Sequence, residues 1–128
     1  MNYIKDNIYN IETDGEIIYI SVVSFLNELC IKNFSTLLGR EEAIRKVFDF
    51  KYKVPIFINK DNIFIRIKMI YFNYVNVLKV MSNNKKTLIV FKDLNQIEVD
   101  ASIKTISKHL KRAEKIVNYL RQNDYTIL

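Results

Sequence analysis

A chain of 128 residues, 49% apolar and 27% charged, holds one domain with a real core and excludes both a second core and a disordered chain. One cysteine, Cys30, and one histidine, His109, exclude an internal disulfide and a zinc site built from Cys and His ligands of a single chain. The net charge of +6 is polarised: residues 1 to 50 carry five Lys/Arg against eight Asp/Glu, a balance of −3, and residues 51 to 128 carry fifteen against six, a balance of +9. Such asymmetry points to nucleic acid or another acidic surface as a partner.

In chain order, residues 1 to 14 contain an extended IYNI segment and are expected to fray. Asp14-Gly15 signals a turn, and EIIYISVVSF after it, rich in β-branched and aromatic residues, predicts a strand buried on at least one face. SFLNELCIKNF fits either a short helix or a strand. Ser35 or Thr36 then caps a helix through Leu38, Ile44, Val47 and Phe48, with Glu41, Glu42, Arg45 and Lys46 outward. Gly39 weakens that helix by about 1 kcal/mol relative to alanine, which moves its expected start to Arg40.

The stretch from Phe50 to Met81 holds two or three strands, with Ile63, Ile65 and Ile67 on one face and Phe64, Arg66 and Lys68 on the other. Pro55 belongs at a strand start or edge, and Asn59 to Asn62 and Ser82 to Lys86 read as turns. KKTLIVF, the turn KDLN and QIEV add two more strands, after which Asp100 is expected to cap the last helix. The fold class is α+β: an antiparallel β-meander with a long C-terminal amphipathic helix and one shorter helix near residues 36–49, the whole of 1–128 forming a single domain. With no leader and no run of about eighteen apolar residues, the protein is expected in the cytoplasm.

The last helix has two faces. Ile103, Ile106, Leu110, Ala113, Val117 and Leu120 make an apolar stripe, and Lys104, Lys108, Lys111 and Lys115 make a second stripe of like charges, with Arg112 and Arg121 nearby and Glu114 opposing. His109 is read on a helix face among the lysines. A solvated basic face is the plain reading of that second stripe. A row of phosphate contacts is the functional one.

Arg40, Lys53, Arg66 and Lys68, interleaved with Tyr52, Tyr71, Phe72 and Tyr74, would extend the basic surface, although most of those rings read as core. The acid groups Glu12, Asp14, Glu16 and Glu98, Asp100 are of the kind a metal-dependent nuclease uses, but the first reads more simply as a solvated turn and Asp100 as a helix cap. No catalytic, cofactor or metal site is expected.

The chain resembles the competence transcription factor family, ComK. In that family a cysteine precedes a Gly-Arg pair and a proline closes an apolar strand, as do Cys30, Gly39-Arg40 and KVPIFIN at Lys53 to Asn59 here. An apolar strand and an aromatic-led segment follow, similar to IFIRI at Ile63 to Ile67 and YFNYVNV at Tyr71 to Val77. Thr87, Phe91, Ser102 and Arg112-Ala113 match the last block in order. Tyr71 stands where the family has tryptophan, Tyr74 and Asn76 stand at its two His positions, and Leu94 lies near its turn glycine.

The resemblance implies a transcriptional activator of competence genes that binds double-stranded AT-rich DNA as a homo-oligomer, largely through the minor groove. It also implies control by an adaptor and Clp-type proteolysis. The chain stops just after the helix, so the tail through which the adaptor acts is expected to be missing. Lys104, Lys108, Lys111, Arg112 and Lys115 are the expected phosphate contacts, with Arg40, Arg66 and Lys68 as further contributors. The alternative is a truncated ComK-like protein that modulates a full-length regulator by association.

Overall fold

The computed structural model describes residues 1–50 and 53–123. Within them, β1 (Tyr3–Asp6), β2 (Ile11–Thr13) and β3 (Glu16–Ile18) precede helices α1 (Val22–Lys32) and α2 (Leu37–Phe48). Then come β4 (Ile56–Asn59), β5 (Asn62–Ile67), β6 (Ile70–Asn73), a 3-10 turn at Tyr74–Asn76, β7 (Val77–Asn83), β8 (Lys86–Phe91), β9 (Gln96–Val99) and α3 (Ile103–Gln122). The strands form a six-stranded antiparallel sheet, ordered β3-β2-β1-β6-β5-β4, and a three-stranded meander, β7-β8-β9.

Alternation along β5 decides how the layers stack. Ile63, Ile65 and Ile67 point to one side, where they pack with Phe72, with Ile89 and Phe91 of the small sheet, and with Ile106, Ala113 and Ile116 of α3. Phe64 points the other way, into a second core with Leu26 and Cys30 of α1 and with Ile4, Ile56 and Tyr71. The large sheet is therefore the middle layer. Helix α1 covers one face, and α3 with the small sheet covers the other. Helix α2 runs past the β4 edge: Leu37 at its start joins the α1 side, while Ile44 and Phe48 join the α3 side. A helix there shields an edge strand that would otherwise offer unpaired backbone.

Four expectations need correction. Residues 1 to 14 do not fray: β1 lies between β2 and β6 in the middle of the sheet, and Ile4 and Ile11 are fully buried, because only this strand completes the ladder beside β6. EIIYISVVSF is not one buried strand. Strand β3 stops at Ile18 on the exposed edge, and Ser21 then caps α1, its Oγ accepting from the Ser24 amide at 3.1 Å. The β-branched pair Val22 and Val23 enters a helix because Val22, Leu26 and Cys30 fall on one stripe that the sheet can bury. Helix α2 begins at Leu37 and not at Arg40, since Thr36 Oγ1 accepts from the Gly39 amide at 3.0 Å and a glycine so near the cap costs little. Finally, Asp100 does not cap α3; Ser102 does, accepting from the Thr105 amide at 3.3 Å, and Asp100 pairs with Lys68.

Asn73 ties the loops at one end of the molecule together. Its side chain is buried, its Oδ1 accepts from the amides of Ile63 (3.1 Å) and Val75 (3.2 Å), and its Nδ2 donates to the carbonyls of Met1 (3.1 Å) and Asp61 (2.9 Å). An apolar side chain there would leave several buried backbone groups unpaired.

Candidate nucleic-acid interface

Helix α3 is held by its apolar side. Ile106, His109, Ala113 and Ile116 are buried, with Ile103, Leu110, Val117 and Leu120 half-buried around them. The burial axis is turned from the expected stripe toward His109 and Ile116. His109 accordingly does not stand among the lysines: it is 5% exposed, and its Nδ1 finds no hydrogen-bond partner among the described residues. Burial first, and the cations Arg112, Lys53 and Lys108 after it, hold the imidazole below its usual pKa, so the ring is neutral at pH 7.

Opposite that side, Lys104, Lys108, Lys111 and Lys115 are all exposed. At 1.5 Å per residue the row is about 16 Å long, the length of roughly five base-pair steps of duplex DNA. Among the described residues none of the four has an ion-pair partner. Acids of the first fifty residues are used elsewhere: Asp14 accepts from the amides of Asn2 and Tyr3, Glu12 accepts from the Tyr3 hydroxyl, and Glu41 sits 3.8 Å from Arg45. The row is thus neither buried nor neutralised from within the described residues.

The other sequence-derived candidates are distributed differently. Arg112 flanks the row, half-buried, with its guanidinium carbon 5.3 Å above the Phe50 ring. Arg40 is half-buried against the sheet, 5.1 Å above the Phe57 ring. Arg66 follows Phe64 onto the α1 face of the large sheet, 5.4 Å above the Tyr71 ring, and its Nε donates to the Lys68 carbonyl at 3.0 Å. Lys68 lies at the end of β5 with its ammonium on Asp100. Arg40 and Arg66 thus stand on rings of the large sheet, and Lys68 stands on Asp100, two residues before the α3 cap.

A set that sequence reading missed lies on the flank of α3 away from Arg112. There, an open groove of about 580 Å³ between α3 and β7 is lined by Lys60, Lys79, Lys92 and Arg121, with Glu114 as the acid among them. These four cations come from two turns, a strand and a helix, and only the fold brings them side by side. Of the aromatic rings read as a stacking platform, Tyr71 and Phe72 are buried, Tyr74 is half-buried, and Tyr52 lies outside the described residues. The acids are spread likewise: Glu98 pairs with Lys86 and accepts from Asn83, and Asp100 pairs with Lys68.

The family model described as "ComK protein" matches residues 5–124, nearly the whole chain. The chain belongs to the ComK family. No curated protein and no solved structure matches it. ComK is a family of competence transcription factors, not of enzymes, and membership places this chain among them. In this ComK-family chain the residues that carry the likeness are largely structural. Cys30 is fully buried between α1 and the sheet, and burial pushes its thiol pKa up. Arg40 of the Gly-Arg pair packs on Phe57 of the proline-led strand, so two blocks of the likeness meet in space. Thr87 is buried and donates to the Ala101 carbonyl at 2.8 Å, which fastens β8 to the segment that Ser102 turns into α3. Among the described residues no helix is long and apolar enough to cross a membrane.

Proposed function

We propose that this ComK-family regulator activates competence genes by binding double-stranded AT-rich DNA as a homo-oligomer, with Lys104, Lys108, Lys111 and Lys115 on phosphates. The observation that carries this reading is the exposed lysine row of α3, for which the described residues offer no acid partner. Arg112 on one flank, and Lys60, Lys79, Lys92 and Arg121 on the other, widen the basic surface around the same helix. An A·T-rich minor groove is narrow and electronegative and draws in basic side chains, which supports the AT-rich preference. The exposed edge strand β3 supports self-association, since it has a neighbour on one side alone among the described residues and Ile17 within it is 56% exposed.

The test is a titration against AT-rich duplex at several salt concentrations. Four phosphate contacts give a slope of log affinity on log salt of about −4. The double change Lys108→Glu, Lys111→Glu is expected to weaken binding and flatten the slope by about two. Binding independent of salt, or an unchanged slope in that variant, would remove the lysine row from the interface.

A further inference from the structure

Between α1, α2 and strands β4 to β6 lies a cleft of about 430 Å³. Its floor is apolar: Leu26, Leu37, Val54, Ile56 and Tyr71 line it, most of them buried. Its mouth is basic. Among the described residues Arg45, Lys53, Arg66 and Lys68 stand there against one lining acid, Glu41, which lies 3.8 Å from Arg45, with Asp100 reaching Lys68 from outside. Arg66 is held in place by its hydrogen bond to the Lys68 carbonyl and by the Tyr71 ring beneath it. A second depression of about 430 Å³ shares Val23, Leu37 and Glu41 with the first and continues over the seam between α1 and α2. Along that seam Val23 is 61% exposed and Leu38 is 65% exposed.

We propose that this track is a docking site for an acidic, partly apolar peptide segment of a protein partner, its carboxylates at Arg45, Lys53 and Arg66 and its apolar side chains over Val23, Leu37 and Leu38. Three features select that occupant. The excess of cations at the mouth matches carboxylates, and forked guanidinium groups bind them best. An apolar floor inside a polar, exposed rim is the anatomy of a protein contact, whereas a nucleic-acid backbone would leave the floor uncovered. The continuation along the helix seam is longer than a small anion needs and suits an extended chain. The site shares no residue with the lysine row, so separate variants test the two.

The experiment uses the full chain and the fluorescein-labelled peptide Glu-Glu-Glu-Leu-Phe-Ala-Leu, followed by fluorescence anisotropy. The peptide is expected to bind, its lysine counterpart is not, and exchanging its apolar residues for serine should weaken it about tenfold. Arg45→Glu with Arg66→Glu should weaken it about tenfold or more, while Lys108→Glu with Lys111→Glu should leave it unchanged. Backbone amide shifts in the unmodified protein give a readout that does not depend on variants folding. Changes at Val23, Leu38 and Tyr71 support the site, and changes confined to α3 overturn it. Absent binding, equal loss in both variants, or displacement of the peptide by AT-rich duplex would each overturn it as well.

Discussion

His109 turns its imidazole into the α3 core, where burial and the nearby Arg112, Lys53 and Lys108 all disfavour its charged form. The unfolded chain takes up a proton near the ordinary value of 6.5, and the folded chain does so only at lower pH. Stability from this group is therefore complete above pH 6.5 and is lost as pH falls below it, by up to about 1.4 kcal/mol per pH unit. Urea midpoints between pH 7.5 and pH 5 are expected to fall in the parent protein and to stay flatter in His109→Leu, which removes the titrating ring. A second residue carries backbone strain: Leu94, in the β8–β9 turn, has φ of +72° and is 73% exposed. A leucine there pays for left-handed backbone that glycine adopts freely. Leu94→Gly is expected to stabilise the fold by about 1 kcal/mol, read as a rise of about 4 °C in the thermal midpoint. The position was visible in the sequence as a departure from the family's turn glycine. The strain was not, because φ is set by how Phe91 and Asn95 close the hairpin, with the Phe91 amide 2.8 Å from the Asn95 carbonyl.

At the scale of an element, α3 shows both what periodicity reveals and where it stops. Spacings of four, three and four placed the lysines on one face, and that face is the exposed one. Like charges at those spacings repel by a few tenths of a kcal/mol per pair. Lys108→Gln with Lys111→Gln removes each neighbouring pair of the row, and is expected to raise stability by up to about 1 kcal/mol at low salt, with the gain vanishing at high salt. Denaturant midpoints at the two salt concentrations check this, and an effect indifferent to salt would mean that repulsion along the row is not its source. The centre of the buried side was less legible. Hydrophobicity selects Leu110 and Val117, which are half-buried, whereas His109 is buried with Ile106, Ala113 and Ile116, and a polar ring gives no hydrophobic signal. The same limit explains α1, where a cap at Ser21 and a stripe of Val22, Leu26 and Cys30 override strand-favouring residues.

At the scale of the whole molecule, the N-terminal strand joins the two halves of the large sheet. Strand β1 pairs with β2 on one side and β6 on the other, and the Met1 carbonyl accepts from Asn73 and Asn76. Deleting residues 1–6 is expected to abolish cooperative unfolding, because the β2–β3 hairpin would lose its only neighbour in the sheet; a sharp thermal transition by circular dichroism in the shortened chain would contradict this. Polarised charge, read along the chain, does not become a simple dipole of acidic and basic halves. The early acids bind local amides and Arg45, and the later cations divide between α3 with its flanking groove and the cleft beside α1 and α2. By itself the sequence determined the α+β class, the alternation along β5, the turns of the meander, the family and the lysine row, because each follows from local periodicity, turn chemistry or colinear residues. Only the tertiary structure decided that β1 is central, that Arg66 stands on Tyr71 and Lys68 on Asp100, and that Lys60, Lys79 and Lys92 lie beside α3. Strand order and the face a side chain occupies depend on pairings between distant segments, which no local pattern encodes.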